Sequence, residues 1–491
     1  MNGYRPTHPV RVLVAGVGPH TLRTHIPWLL ANRQVVPVAF VEIPAGRLAA
    51  TSAAAKFDAE VILVDPWQDG AMPVAVRAAL DEAVRRLRVD AIIVATEPLA
   101  HAAYLRWAIE AGRHVFVDKP IVAFADTSNS VAAARRVESE LRSLARLAER
   151  HPDRLVAVGT QRRYHPAFEL VQEVLVEAAS RFGTCVTAMQ STHADGQFRF
   201  PHELETIAYH GFGHGYGKLG HSGYHGVSLQ ADVIEATAAA AGVRFDSFST
   251  YAAAVRPAGF LKQIPRSTYE RRFSQASWKA ACPDQDAVLA SRLRGFGEVD
   301  VFATTSLTID GVPALLAQIG LLHTSMSRRS WLAANADLYK GNGRVKHEHH
   351  NFVLGPFMSV QVHSYQSRAD HEVNDEREFG RGGNNHIEVH VYRNADWWDS
   401  DKPALEEFTA YDIAARAQMP LEKMFTGLAK ERMLEEFFDC ITGERPMANH
   451  RSRIESHLLG GTMLSAMFEA VAGGQPTSRV LRDTARRGGV A

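Results

Sequence analysis

Cysteine is scarce: Cys185, Cys282 and Cys440 are three isolated thiols in 491 residues, with no CxxC pair. That spacing excludes a disulfide framework and a thiolate metal centre. Long hydrophobic runs are missing too, since none approaches the roughly 20 residues that a membrane helix needs. The amino-terminal MNGYRPTHPVRVLVAG passes into a strand-like segment with no signal-type apolar region, so the expected location is cytoplasmic. Net charge is absent, with 54 basic against 54 acidic side chains, and nothing draws the chain to nucleic acid or to an anionic membrane. What remains is an ordinary globular balance, 46% hydrophobic and 22% charged, at a length that suits two or three domains. No internal repeat is visible.

Histidine is the one excess. Of the 23 residues, nine crowd into 193–225 and into His347, His349 and His350. His210, His214, His221 and His225 form two i,i+4 pairs, a spacing with which a helix can hold zinc. The residues inside those pairs are Gly-Phe-Gly and Ser-Gly-Tyr, too rich in glycine for a firm helix and lacking the glutamate of a zinc hydrolase. No metal is therefore assigned from the sequence.

Val10 to Ala15 is an apolar, β-branched run leading into Gly16-Val17-Gly18-Pro19-His20-Thr21 and an amphipathic segment through Leu30. This order is the strand, glycine turn and helix of a dinucleotide fold. Gly16 permits the tight turn, Gly18 lets backbone amides approach a pyrophosphate, and Thr21 replaces the third glycine. Glu42 closes the next strand, Val35 to Val41, where a carboxylate accepts both ribose hydroxyls of an adenosine. A carboxylate there repels a 2′-phosphate, so NAD is expected over NADP, although Arg47 lies five residues on.

Val61 to Val64 reads as a third strand and Ala75 to Leu87 as a helix. The stretch Val89 to Val122 then reads as strand (Ala91 to Ala95), helix opened by Pro98 and His101, Gly112 stop, and strand (Val115 to Val117). Asp118, Lys119 and Pro120 arrive at the carboxyl end of that last strand, where open parallel sheets place their ligands. Ser130 to Arg150 reads as one or two helices, and the turn-type cluster His151-Pro152-Asp153 marks a domain boundary.

Thr96, Pro98 and His101 after one strand, with Asp118-Lys119-Pro120 after the next, resemble the Gfo/Idh/MocA family of nicotinamide-dependent oxidoreductases, which usually has Glu-Lys-Pro here. Gly159 to Pro166 is similar to that family's approach to its second domain, where Arg163 and Tyr164 become candidate substrate contacts and Arg162 a surface residue. Gly215 to His225, before the alanine-rich helix Val227 to Ala240, is similar to the family's Asp-x-Gly-x-His. His225 matches the catalytic histidine, and His221 stands where the acid usually is.

The resemblance implies an amino-terminal Rossmann domain (1–152), an α+β domain with an open, largely antiparallel sheet (153–477), and a disordered tail (478–491). It implies nicotinamide in a cleft contacted by Gly16, Gly18, Pro19, His20, Glu42, Arg47, Thr96, Pro98, His101 and Lys119, and a cis Lys119–Pro120 bond. His225 would take a hydroxyl proton while Lys119 stabilises the oxygen, on a small-molecule sugar, cyclitol or polyol. Homo-oligomers through the open sheet follow from the same likeness.

From Val243 onward the resemblance thins. Arg256 to Trp278 reads as a loop with one short helix, and Val299 to Ile309, Ala314 to His323, Phe352 to Gln366 and His386 to Arg393 read as strands, joined at 339–344 and 381–385 by turns. Leu421 to Cys440 and Ile454 to Val471 read as helices. Three alternatives stay open: a redox-neutral epimerase or glycosidase, a catalytically silent NAD-binding sensor or scaffold, and a histidine-ligated metal enzyme.

Overall fold

The computed structural model describes residues 8–67, 70–206, 211–333, 343–367, 378–380, 383–398 and 402–481. Two compact units emerge: Met1–Ala125 with Arg136–Pro166 and Glu422–Thr462, and Asp126–Arg135 with Ala167–Leu421 and Met463–Ala491. The sequence predicts one cut after residue 152. The structure instead returns 422–462 to the first unit, because helix Leu428–Thr442 carries its apolar face onto the first sheet. Trp28 stacks on Phe438 with centroids 5.2 Å apart, and Phe116 meets Phe437 edge-on at 5.6 Å.

The first unit is built on six parallel strands, β1 (Val10–Ala15), β2 (Val35–Glu42), β3 (Glu60–Leu63), β4 (Ala91–Val94), β5 (His114–Asp118) and β6 (Val156–Gly159), ordered β3-β2-β1-β4-β5-β6. The order reverses between β1 and β4, which is the crevice where doubly wound sheets take ligands. Strands covered on both faces must be apolar throughout, and Ala91–Val94 is buried at every position. Each fully buried Val, Leu, Ile or Phe contributes about 1.5–3 kcal/mol.

The second unit holds, among the described residues, a nine-stranded sheet. Its strands are β7 (Ala188–Gln197), β8 (Ser247–Val255), β9 (Asp300–Ile309), β10 (Val312–Thr324), β11 (Val345–Leu354), β12 (Met358–Ser367), β13 (Asn385–Arg393), β14 (Leu405–Phe408) and β15 (Thr477–Val480). All neighbours are antiparallel except β7 and β10. Alternation buries one face, with Val301, Ala303, Thr305 and Leu307 inside, and leaves Tyr251, Phe302 and Leu316 about half exposed on the other.

Several sequence expectations change here. The single strand expected over Phe352 to Gln366 is two, because Gly355 takes a left-handed φ of 43° and turns the chain between β11 and β12. Residues 478–480, expected in a disordered tail, lie in β15, which pairs with β8 and buries Thr477. The loop expected over Arg256 to Trp278 contains the helices Pro257–Gln263, Arg266–Phe273 and Gln275–Ala281, with Asp286–Arg292 following. Helices this short are marginal alone. They persist on an aromatic core, where Tyr269 stacks on Trp278 at 4.2 Å and Arg329, paired with Glu203, lies 3.9 Å over Phe200. The expected turn at 339–344 falls largely outside the described residues, as do 381 and 382.

Candidate functional site

The glycine turn after β1 has the geometry that its residues predict. Gly16 sits at φ 93°, and a Cβ there would come within 2.4 Å of the Ala95 carbonyl, so any side chain would collide with the end of β4. A Cβ on Gly18 would meet no protein atom within 4 Å, leaving the space above it for a ligand to approach the backbone. Thr21 uses its hydroxyl to bond the Gly16 carbonyl at 2.8 Å and closes the turn from inside. Glu42, at the end of β2, accepts Val17 N–H at 2.7 Å and Ile43 N–H at 2.9 Å, so its carboxylate is fixed beside the turn. Arg47 opens the following helix and is exposed. These features fit an adenosine dinucleotide: an open cradle over glycine, and an anchored acid one strand away.

The ends of β4 and β5 are tied together by His101. Its Nδ1 lies 2.7 Å from the Pro120 carbonyl and its Nε2 3.0 Å from the Thr96 carbonyl, in a nearly inaccessible position. Pro98 starts the helix Pro98–Glu110, with the Glu97 carboxylate capping Leu99 N–H. The Lys119–Pro120 bond is cis, as expected, and Lys119 is half-buried beside Asp118.

Asp118 gathers two imidazoles that sequence reasoning had not joined. Its Oδ2 lies 3.4 Å from His25 Nε2 and 3.6 Å from His20 Nε2. Burial alone would raise its pKa, but the two histidines hold the carboxyl well below its ordinary range. Burial lowers His20 to about 3 while Asp118 raises it, and water tempers the lowering because 40% of that side chain is exposed. His25 is 1% exposed.

In the second unit His221 lies in the turn before the helix Tyr224–Ala241, and His225 occupies that helix's second position. Gly217 is required where the segment passes a neighbouring strand end, since a Cβ would fall 2.0 Å from the Glu298 carbonyl. Beneath this loop runs a buried network that the sequence did not reveal. Lys218 Nζ donates to His193 Nδ1 at 2.7 Å and to Ser222 Oγ at 2.9 Å, and pairs with Asp195 at 2.9 Å. Burial pushes His193 well below its ordinary value, which keeps it a neutral acceptor. Despite burial, Lys218 holds Asp195 well below the carboxylate range. Ser222, beside His221 in the chain, also donates to Asp195 on β7 at 3.2 Å.

Arg163 and Tyr164 lie in the interior of the first unit. Arg163 donates to the Arg451 and Ser456 carbonyls and to Ser456 Oγ, and Tyr164 is fully buried beneath the Arg451 guanidinium at 4.4 Å. Burial, aided by Glu436, raises the Tyr164 phenol well above its ordinary value. In these positions their polar groups serve the packing of Gln161–Tyr164 against 451–456, not an open surface. Arg162, expected at the surface, is buried in the same turn. Of the histidine-rich segment, His210 lies outside the described residues and His214 is exposed. His349 and His350 occupy opposite faces of β11, the first 2.8 Å from His363 and the second 3.1 Å from Ser191.

Among the described residues, no helix is long and apolar enough to cross a membrane. None of the curated proteins compared is similar enough in sequence to count as a relative. Solved structures with a similar fold include the WlbA dehydrogenase from Bordetella pertussis, in complex with NADH and UDP-GlcNAcA. It is 12% identical with a TM-score of 0.58, over 97% of this chain and 99% of that one. GenD2 from gentamicin A biosynthesis, in complex with NAD, is 15% identical with a TM-score of 0.54, over 98% and 99%. The myo-inositol 2-dehydrogenase from Lactobacillus plantarum is 12% identical with a TM-score of 0.53, over 96% and 99%. At these identities the likeness is one of fold. The sequence match is narrower and sharper, covering the glycine turn, Glu42 and the Asp118-Lys119-Pro120 strand end within one family model, oxidoreductase family, NAD-binding Rossmann fold. Residues 10–160 match the model of the Gfo/Idh/MocA oxidoreductase family.

Proposed function

We propose that the protein is a nicotinamide-dependent oxidoreductase that interconverts a secondary hydroxyl and a ketone on a sugar, cyclitol or similar polyol. The observation that carries this reading is the position of Lys119 directly after the carboxyl end of β5, in the same sheet as the Gly16 turn and Glu42. Gly16, Gly18 and Glu42 bind and orient the dinucleotide, with Pro19, His20, Arg47, Thr96, Pro98 and His101 shaping its site. Bound nicotinamide supplies the two-electron acceptor. Lys119 donates a hydrogen bond to the reacting oxygen and stabilises negative charge there. His225, as a neutral imidazole, accepts the hydroxyl proton, and the Lys218–Asp195–Ser222 network holds the loop that carries it.

One of the similar structures is a dehydrogenase in complex with UDP-GlcNAcA and another a myo-inositol 2-dehydrogenase, which supports the substrate class. The open sheet face with Tyr251, Phe302 and Leu316 exposed supports association between copies of the chain. The test is a panel of free sugars, nucleotide sugars and cyclitols with NAD, monitored by NADH absorbance with product identification. Oxidation of at least one member, abolished in Lys119→Ala, is the expected result. Tight NAD binding with no turnover across the panel would overturn it in favour of a silent sensor, and turnover without net NADH would favour a redox-neutral reaction.

A further inference from the structure

We infer that His20, His25 and Asp118 form a binding site for one divalent transition metal of the zinc class. Among the described residues this is the one group of three such ligands whose donor atoms all lie within 4.8 Å of one another. The His25–Asp118 contact is a long hydrogen bond at 3.4 Å, and the spacing of the three groups also suits an ion. A charge-assisted imidazole–carboxylate bond closes to about 2.7–2.9 Å, whereas Asp118 Oδ2 stands 3.4 Å and 3.6 Å from the two Nε2 atoms. Zinc–ligand bonds of about 2.0–2.1 Å at tetrahedral angles place neighbouring donors roughly 3.3–3.5 Å apart.

The backbone explains how His20 and His25 converge. In an α-helix, residues five apart point about 140° away from each other. Thr21–His25 is instead a π-helical turn, with Ile26 N–H bonded to the Thr21 carbonyl. That wider turn brings side chains five apart onto one side, and such turns recur at functional sites. The two rings meet edge to face with centroids 5.1 Å apart. Two imidazoles and one carboxylate make a donor set suited to zinc, cobalt or nickel, and three protein ligands leave a position for an outside oxygen donor. His20, 40% exposed, marks the open side, while His25 and Asp118 are 1% and 15% exposed.

The site is tested on the full-length protein, stripped with chelator and titrated with Co²⁺ and with Zn²⁺ in the absence of nicotinamide. One equivalent should bind, with a visible d–d band for Co²⁺. His20→Ala, at the exposed ligand, and Asp118→Asn should each weaken binding at least tenfold. His349→Ala, on the open face of the second sheet, should leave it unchanged. The absence of a saturable equivalent, or metal binding indifferent to His20→Ala and Asp118→Asn, would overturn the site. Calorimetric titration of the metal-stripped wild-type protein with NAD reads the proposed function separately, so failure of either leaves the other standing.

Discussion

Replacing Glu42 by Gln isolates the charge that should select NAD over NADP. The carboxylate cannot swing aside: both oxygens accept backbone amides, Val17 at 2.7 Å and Ile43 at 2.9 Å, and a Cβ on Gly46 would lie 2.5 Å from Glu42 Cγ. A phosphomonoester carries about −1.5 to −2 charges at pH 7. At about 4 Å each unit pair costs roughly 1 kcal/mol in water and about 4 at an effective dielectric near 20. Glu42 is half-buried, between those limits. NADP should therefore bind at least about tenfold, and on the order of a hundredfold, more weakly than NAD. Gln keeps the shape and one acceptor for the Val17 amide but removes the charge, so the preference should fall below about tenfold while the thermal midpoint holds. Calorimetric titration of both proteins with both cofactors measures it. An unchanged ratio in Glu42→Gln, or a wild type that favours NADP, refutes the electrostatic reasoning.

Gly16→Ala forces a left-handed residue against the Ala95 carbonyl, and should cost about 2 kcal/mol or more together with cofactor affinity, read from urea midpoints and NAD titration. His225→Ala should lower kcat roughly 10²–10⁴-fold with NAD affinity preserved, and near-normal turnover would remove it as the base. His221→Asp, which restores the acid beside it, should raise the apparent pKa of the acidic limb of kcat/KM by about one unit. His114, 8% exposed, is lowered to about 4 by burial and accepts Leu155 N–H at Nδ1. Its folded pKa lies below the unfolded 6.5, so its contribution is full above pH 6.5 and is lost as pH falls towards 4, by roughly 3 kcal/mol. His114→Asn keeps an acceptor for Leu155 and should flatten that part of the pH–stability curve, and an unchanged slope would exclude the assignment.

The first unit was legible because its physics is local. A strand covered on both faces must be apolar at every position, so Val10–Ala15 and Ala91–Val94 stand out as runs, and Gly16 and Gly112 punctuate them. The second sheet was legible only in part. β8 alternates Phe248, Thr250 and Ala252 inward against polar or small neighbours, a pattern with too little amplitude to declare a strand. β15 has four residues and takes its order from pairing with β8 at its edge. Nothing in 422–462 announces that it folds back with the first unit, since an amphipathic helix names its apolar face but not the partner that covers it. The short helices from Pro257 to Arg292 each span fewer than nine residues, too little for a 3.6-residue period to declare itself.

For the site, sequence distance and turn geometry were the obstacles. Gly16, Glu42 and Lys119 follow strand ends, so a reading of the strands places them. Asp118 meets His25 across 93 residues, and the His20–His25 spacing matches no α-helical pair. Only a π-turn makes five residues a same-side spacing, and a π-turn has no compositional signature. The Lys218 network follows the same rule. Lys218 looks like a solvated loop charge in Gly-Tyr-Gly-Lys-Leu-Gly, yet it is fully buried because Asp195 and His193 rise from β7 to receive it. A lone lysine could not be desolvated there without such partners, since an unpaired buried charge costs far more than any packing gain. The burial of Lys218 thus implies Asp195 physically, although no pattern along the chain connects the two.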